Sequence, residues 1–193
     1  MAEHYYENRI FENLKLNEET LENYEFSYCE FYHCTFETCS FIRCHFSECS
    51  FSNCTILSPS FEYSEIKNIE FKECNLLGIN WGILALSKLN KPLQTLQNCH
   101  LKYNTFSLMN LTRFNFSHNT LIDSSFIECT LVETSFQQCD LTKTEFLNCD
   151  IRKADFREAT GYQIDILSNK LKGAKFSFPE VVNLLGALQI KIE

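Results

Sequence analysis

Eleven cysteines are the side chains of this 193-residue chain with the widest chemical range, because thiolates bind zinc, attack electrophiles and form disulfides. Consecutive cysteines are separated by a multiple of five residues, and six of them form a C-x4-C series from Cys29 to Cys54. Disulfide frameworks are typical of small secreted domains that lack a core. The regular spacing leaves two interpretations, a metal site and a column of buried reduced thiols, and the rest of the pattern decides between them.

The other reactive residues form no recognisable catalytic motif. Four of the five histidines, His33, His45, His100 and His118, fall at positions expected to face solvent. The chain lacks a glycine-rich phosphate-binding loop, an H-E-x-x-H zinc motif and a G-x-S-x-G nucleophile, and it has only five glycines. Its carboxylates are expected to be solvated, whereas acid–base catalysis uses groups whose pKa is tuned by burial. The sequence therefore predicts a binding protein, not an enzyme, without a cofactor.

A five-residue period positions all of these side chains. A large apolar residue stands at every fifth position from Phe11 to Phe156, and Lys91 is the single exception. All eleven cysteines lie two residues before a member of this apolar series. A helix repeats every 3.6 residues and a strand every 2, so neither alone could bury such a series on one face. The period predicts a solenoid built from repeated units.

Units such as Cys139–Lys143 and Ala154–Glu158 resemble the A(D/N)LXX repeat of the pentapeptide-repeat family. The resemblance implies an all-β fold, a right-handed quadrilateral β-helix in which five residues form one side and twenty form one coil. The central apolar residue and the small residue two positions before it would point inward, so the cysteines would be core residues. Neighbouring cysteines would lie on different sides and could not converge on one metal ion. Short polar residues between the inward positions, such as Thr35 and Asp150, would form the turns.

The order of the apolar residues supports four sides and indicates one interruption. Phenylalanine alternates with leucine or isoleucine from Leu101 to Phe156, which places phenylalanine on two opposite sides of each coil. The alternation has the opposite parity before Leu86, so one extra five-residue unit is expected to leave the coil between Ser87 and Thr95. The predicted loop residues are Lys88, Asn90, Lys91 and Pro92. With this correction five cysteines fall on one side: Cys34, Cys54, Cys74, Cys99 and Cys139.

We expect a β-helical domain over residues 1–160, with a loop near 87–95, and a C-terminal segment over 161–193. Ser177 and Glu180 match the S-x-x-E capping box and predict a short amphipathic α-helix, after which a terminal strand is expected. The segment would serve either as a cap that closes the solenoid or as a dimer interface. Its resemblance to the end of the Qnr-like and MfpA-like quinolone-resistance branch implies a homodimer. The predicted interface residues are Phe178, Val181, Leu184, Leu185, Leu188, Ile190 and Ile192.

The resemblance to this branch also implies a function. Its members imitate duplex DNA and act on type II topoisomerases, especially DNA gyrase, so the chain is expected to modulate such an enzyme or protect it from quinolones, without binding nucleic acid itself. The net charge is −8, and residues 1–40 carry nine acids and two bases. An acidic surface of this kind could occupy a basic DNA-binding groove. The candidate partner-binding residues are Glu18, Glu19, Glu22, Glu25, Glu30 and Glu37.

Other functions stay open at this point. A net charge of −8 also suits a protein that simply remains in solution, and six bases between Arg152 and Lys175 depart from a uniformly acidic rod. The alternative function is a protein–protein interaction scaffold, or a bacterial effector unrelated to topoisomerases. No apolar run reaches membrane-spanning length, and the first residues lack the basic and apolar parts of a signal peptide. A cytoplasmic bacterial protein that does not bind membranes is therefore expected.

Overall fold

Short parallel strands joined by tight corners make up most of the chain. The computed structural model describes residues 4–84 and 91–188. The chain forms two units, which we call the N-terminal unit (Met1–His100) and the C-terminal unit (Leu101–Glu193), each with its own buried residues.

The N-terminal unit is built from four parallel sheets, one for each side of a coil. Their order is β1-β5-β9-β13, β2-β6-β10-β14-β16, β3-β7-β11-β15 and β4-β8-β12. Hydrogen-bonded neighbours are twenty residues apart, as in the pairing of Phe31 with Phe51. The unit is therefore a quadrilateral β-helix, which confirms the predicted fold class. Its elements are β1 (His4–Glu7), β2 (Ile10–Glu12), β3 (Lys15–Asn17), β4 (Thr20–Glu22), β5 (Tyr24–Ser27), β6 (Glu30–Tyr32), β7 (Thr35–Glu37), β8 (Ser40–Ile42), β9 (His45–Ser47), β10 (Ser50–Ser52), β11 (Thr55–Leu57), β12 (Ser60–Glu62), β13 (Glu65–Lys67), β14 (Ile69–Lys72), β15 (Asn75–Leu77), α1 (Trp81–Leu84) and β16 (Leu93–Gln97).

The core of this unit consists of the apolar series and the cysteine column. Phe31 and Phe51 stack with ring centroids 4.5 Å apart and planes 4° from parallel. Such aromatic pairs contribute about 0.5 to 1.5 kcal/mol beyond the burial of their area. Cys54 is 1% exposed; its thiol donates to the carbonyl of Phe31 at 3.3 Å and accepts the N–H of Cys34 at 3.4 Å. All eleven cysteines of the chain are buried and free. The two inward columns predicted from the five-residue period are confirmed.

A residue with positive φ forms each corner of the coil, two positions after the central apolar residue. The φ values of the non-glycine residues at these corners lie between 46° and 64°. Asparagine is frequent there, for example Asn8, Asn23 and Asn53, because it tolerates the left-handed region better than most side chains. The turn predicted at Thr35 is wrong for this unit, since Thr35 begins β7 and the corner lies three residues later, at Thr38.

The ladder of this unit is offset once. Strand β16 pairs with β14 so that Leu96 lies beside Phe71, twenty-five residues away in the chain instead of twenty. The additional residues fall between β15 and β16, where α1 begins and Trp81 is buried. Cys99 continues the cysteine column, because the N–H of the next residue, His100, donates to the carbonyl of Cys74 at 2.9 Å, as the N–H of Asn75 does to the carbonyl of Cys54.

The predicted loop residues differ in their placement. Lys88 and Asn90 lie outside the described residues. Lys91 and Pro92 take part in the coil, because their carbonyls accept backbone N–H groups of the preceding coil at 2.7 and 3.0 Å. The coil therefore resumes earlier than the boundary predicted at Thr95, and β16 already begins at residue 93.

The C-terminal unit has fewer strands and more turns. The sheet β18-β20-β21-β23 and the pair β22-β24 are parallel. Isolated parallel bridges, such as Asn115 with Ser135, join the other sides. Its elements are β17 (His100–Lys102), which begins at the last residue of the N-terminal unit, β18 (Thr105–Ser107), β19 (Thr120–Ile122), β20 (Ser125–Ile127), β21 (Glu145–Leu147), β22 (Asp155–Phe156), β23 (Gln163–Ile164), β24 (Lys175–Phe176) and a 3₁₀ helix (Glu180–Leu188).

Turns replace strands on several sides of this unit, as on the side that begins with Asp150. The carboxylate of Asp150 accepts the N–H of Arg152 at 3.4 Å. The N–H of Ala154 donates to the carbonyl of Ile151 at 3.1 Å and closes a β-turn. The third residue of this turn, Lys153, has a φ of 58°, which is the sign that a type II turn requires. The turn predicted at Asp150 is confirmed, because side-chain acceptors of this kind compete with strand pairing.

Phenylalanine fills two sides of this core. Phe126 and Phe146 stack at 4.9 Å in one column, and Phe116 and Phe136 stack at 5.1 Å in the other. Phe126 and Phe136 meet edge to face, with an interplanar angle of 84°. The predicted placement of the alternating phenylalanines is confirmed for this unit.

The predicted C-terminal helix is present as a 3₁₀ helix. Its two adjacent valines and its glycine are poor α-helix formers. The predicted capping box does not form, because the hydroxyl of Ser177 accepts the N–H of Glu158 at 3.1 Å and the carboxylate of Glu180 accepts the N–H of Gly161 at 3.3 Å. Both side chains bind the preceding coil instead of capping the helix. In the described ranges no helix is long and apolar enough to cross a membrane.

Candidate partner-binding surfaces

The six glutamates predicted to bind a partner lie in the N-terminal unit, but not on one surface. They surround the coil: Glu18 and Glu19 follow β3, Glu22 lies on β4, Glu25 on β5, Glu30 on β6 and Glu37 on β7. The strands β4, β5, β6 and β7 belong to four different sheets. All six are exposed except Glu25, which is partly buried.

One corner brings three of these acids together. The backbone N–H of Glu18, at the corner after β3, donates to the carbonyl of Glu37 at the end of β7 at 2.8 Å, so the two residues lie in adjacent coils. Glu19 follows Glu18 in the chain and is also exposed. Three acidic residues of two consecutive coils therefore lie near the corner that follows β3 and β7.

The other acids follow a pattern that the linear sequence hides. In the column that contains Glu25, the next strand carries His45 and the one after it carries Glu65. Two further columns repeat this order, Glu22–Ile42–Glu62 and Glu30–Ser50–Glu70. Like charges directly opposite each other destabilise a sheet. The intervening residue separates two carboxylates by two strand spacings, about 9.6 Å.

Sequence reasoning missed the second acid of each column. The predicted set stops at Glu37, whereas Glu62, Glu65 and Glu70 lie in the same columns as the predicted residues. The acids of one column are twenty or forty residues apart in the sequence, because one coil contains twenty residues. A search for acids within one continuous stretch of sequence therefore does not find them. Around Glu25, His45 and Glu65 these side chains line an open groove of about 380 Å³.

Two of the predicted acids already have partners within the unit. Glu22 forms an ion pair with Arg43 at 2.8 Å, and both side chains are at least half exposed. Glu30 accepts a hydrogen bond from the hydroxyl of Tyr32, and this bond raises the pKa of Tyr32 above its usual value. The charge of the unit stays negative all the same. Residues 1–100 contain fourteen acids and seven bases, whereas residues 101–193 contain eleven and ten.

Two arginines of the C-terminal unit are paired with the aspartates beside them. Arg152 binds Asp150 at 2.7 Å, and Arg157 binds Asp155 at 2.7 Å. The hydrogen bond from each arginine holds the pKa of its aspartate below the usual range. These pairs therefore reduce the positive patch expected between residues 152 and 175.

The predicted dimer residues divide into available and buried side chains. Phe178 is 82% exposed and Leu188 is 44% exposed. Val181 and Leu185 are partly exposed, whereas Leu184 is only 8% exposed and packs within its own unit. Ile190 and Ile192 lie outside the described residues. The 3₁₀ helix and β23 also line an open groove of about 630 Å³.

No metal position is formed by three or more histidine, cysteine, aspartate or glutamate side chains within residues 4–84 and 91–188. The predicted outward histidines His33, His45, His100 and His118 are all exposed. The thiols of Cys49 and Cys139 are buried, and burial raises the pKa of each to about 12. This arrangement offers binding surfaces that are shaped by charge and by exposed apolar groups.

Comparisons with known proteins agree with this architecture. A family model described as the pentapeptide repeat region matches residues 24–106 and 99–176. No curated protein matches the chain in sequence. The solved structure of full-length QnrB1, a plasmid-mediated fluoroquinolone resistance protein, is 19% identical and has a TM-score of 0.54, covering 96% of this chain and 100% of that one.

Two further solved structures are more distant in shape. A trypsin-treated variant of QnrB1 is 19% identical with a TM-score of 0.46, covering 95% of this chain and 99% of its own. HetL, a pentapeptide repeat protein involved in heterocyst differentiation regulation in the cyanobacterium Nostoc, is 14% identical with a TM-score of 0.31, covering 88% and 86%. The family model spans most of the four-sided coil described above. This chain therefore belongs to the pentapeptide-repeat family.

Proposed function

We propose that this protein is a non-enzymatic DNA mimic that binds a type II topoisomerase, DNA gyrase, and modulates it or protects it from quinolones. Membership of the pentapeptide-repeat family and the likeness in fold to QnrB1, a fluoroquinolone resistance protein, support the proposal. The observation that carries it is the recurrence of glutamate on alternate strands of three sheets of the N-terminal unit.

The charge density of the N-terminal unit is of the right order for such a mimic. Residues 1–100 have seven more acids than bases. The five strands β2-β6-β10-β14-β16 cover four strand spacings, about 19 Å. The unit thus carries about one net negative charge per 3 Å, compared with one per about 1.7 Å along duplex DNA. A basic groove built for DNA would attract this unit, although less strongly than it attracts DNA.

The test is a supercoiling assay with purified gyrase, with and without a quinolone. The wild-type protein is expected to change the quinolone concentration that halves supercoiling. Glu25→Lys with Glu65→Lys reverses one acidic column and should reduce this effect about tenfold, because steering by complementary charge is lost. The matched control, Asp123→Lys with Glu158→Lys, changes the same charge in the C-terminal unit and should keep the effect. Gyrase that ignores the wild-type protein, or responds equally to the column variant, contradicts the proposal.

A homodimer formed through the C-terminal segment belongs to the same proposal. Phe178 and Leu188 leave apolar surface exposed beside the 3₁₀ helix. A two-fold interface would bring the same patch of each subunit against its copy. Two acidic N-terminal units would then act together, and linked binding sites raise apparent affinity without any new contact.

A further inference from the structure

One side of the C-terminal unit exposes an apolar side chain at each strand level, either on the strand or in the turn that follows it. We call it the leucine face and define it as the sheet β18-β20-β21-β23 with the turn that follows each strand. Ile127 and Leu147 are neighbours on β20 and β21, and Leu147 is 40% exposed. Leu108 follows β18 and Leu167 follows β23, with 74% and 73% of their surface exposed. Each strand level of this side therefore contributes one exposed or partly exposed aliphatic side chain.

Leu108 is unusual in its backbone as well as in its exposure. It occupies a corner with a φ of 57°. Leucine disfavours the left-handed region, which asparagine and glycine adopt far more readily. Among the described corners it is the only aliphatic side chain, whereas most others are polar. A residue that suits neither its conformation nor its contact with water points to a role outside the fold.

The charges on the leucine face itself have one sign. Glu128, Glu145 and Asp165 are exposed on it, and no lysine or arginine stands on its strands or in the turns that follow them. Lys143 borders the face, in a groove that it shares with Asp123 and Glu145. The other three sides of this unit carry bases, among them Lys102, Arg113, Arg152, Lys153, Arg157 and Lys170. The leucine face thus combines exposed apolar groups with three acidic groups.

We propose that the leucine face binds a basic amphipathic helix of a partner protein. Its apolar groups repeat once per strand level, about every 4.8 Å, which is close to the 5.4 Å pitch of an α-helix. A helix laid along the coil can therefore place one apolar side chain per turn against each level, as in other helix-in-groove complexes. Lysine or arginine on the flanks of that helix would meet Glu128, Glu145 and Asp165. This surface is separate from the acidic columns and does not rest on the proposed action on gyrase.

The test uses two fluorescein-labelled synthetic helices of about 14 residues, long enough to span the four strand levels. Both have leucine at positions i, i+4, i+7 and i+11, one for each turn, and the remaining positions are lysine in one and glutamate in the other. Fluorescence anisotropy should show saturable binding of the leucine–lysine helix and none of the leucine–glutamate helix. Leu108→Asn with Leu147→Ser should weaken binding at least about tenfold, because a few central apolar contacts dominate such interfaces. Glu128→Lys with Glu145→Lys should weaken it to a similar extent.

Matched controls separate this site from general attraction to an acidic protein. Tyr63→Asn removes an 83% exposed side chain from a positive-φ corner of the N-terminal unit, and Glu37→Lys with Glu62→Lys reverses two charges there. Neither should change the affinity of the leucine–lysine helix. Equal binding of both helices, unchanged binding by the leucine variant, or an equal loss in the controls would each overturn the proposal. Far-UV circular dichroism checks that each variant is folded. Leu108→Asn is expected to fold, because asparagine tolerates the positive φ of its corner.

Discussion

At the scale of the residue, the corner positions determine which side chains the coil accepts at low cost. Each corner requires a positive φ, so the backbone conformation limits which residues fit there more than side-chain contacts do. The sequence did not reveal this position, because glutamate, tyrosine, arginine and lysine stand there as well as asparagine. The inward positions were predictable, because burial restricts them to apolar or small side chains.

Leu108→Asn should stabilise the protein. The change relieves a leucine at a φ of 57° with 74% of its surface exposed, and we expect a gain of up to about 1 kcal/mol in the free energy of unfolding. Urea unfolding followed by circular dichroism measures it. Leu147→Asn, in a strand of the same sheet, is the control and should give no such gain. A destabilised Leu108→Asn variant would show that the leucine contributes contacts to the fold.

Cys54→Leu should destabilise the core, whereas Cys54→Ser should lower the free energy of unfolding only slightly. Cys54 is 1% exposed, so added bulk has no room and should cost about 1 to 3 kcal/mol. A serine at the equivalent inward position shows the alternative: the hydroxyl of Ser64 accepts the N–H of Cys44 and donates to the carbonyl of Phe41, both at 2.9 Å. Urea unfolding of both variants gives the comparison. A serine variant as unstable as the leucine variant would contradict this account.

At the scale of the element, the type of residue before the central apolar position does not by itself decide whether a side becomes a strand or a turn. Thr35 begins β7 but Thr130 begins a turn side, and the carboxylate of Asp150 supports a turn whereas Asp155 begins β22. The sequence pointed to turns at both Thr35 and Asp150 and was right only for Asp150. The acidic columns were equally hidden, because strand pairing joins residues such as Glu25 and Glu65 across forty positions.

Asp150→Asn with Asp155→Asn should lower stability at neutral pH and change its pH dependence. Hydrogen bonds from Arg152 and Arg157 hold the pKa of each aspartate below its usual value. Their stabilisation is therefore complete above about pH 4, the unfolded-state value, and is lost as pH falls through the lower folded-state pKa. The arginines are about half exposed, so each pair is worth no more than about 1 kcal/mol. Asparagine retains a turn acceptor but not the charge.

Thermal unfolding at pH 7 and pH 2.5 tests this prediction. The variant should melt below the wild type at pH 7, and the difference should shrink at pH 2.5. Asp165→Asn is the matched control, because Asp165 accepts the N–H of Leu167 at 2.8 Å and makes no ion pair with the described bases. It should show a smaller difference at pH 7. A gap that stays constant with pH would mean that the arginine pairs do not stabilise the fold.

At the scale of the whole molecule, the two units differ in net charge. The net charge lies almost entirely in residues 1–100, whereas acids and bases nearly balance in residues 101–193. The family and the four-sided coil could be predicted from the repeat, because its period leaves few other folds. The binding partner could not be predicted from the repeat, because partner choice depends on exposed residues whose arrangement follows from strand pairing and corner geometry.

Phe178→Asp with Leu188→Asp should convert a dimer into a folded monomer. Both side chains are exposed, at 82% and 44%, so the change should leave the core intact while placing like charges opposite each other across a two-fold interface. Light scattering at micromolar concentration is expected to give a dimer for the wild type and a monomer for the variant.

Loss of the paired N-terminal units should then weaken the effect on gyrase more than it weakens binding of the leucine–lysine helix, which needs only one unit. Leu184→Asp is unsuitable as a test because Leu184 is only 8% exposed and its replacement would disturb the fold. A wild-type protein that is monomeric under these conditions would remove the dimer from the proposed mechanism and leave one acidic unit to act alone.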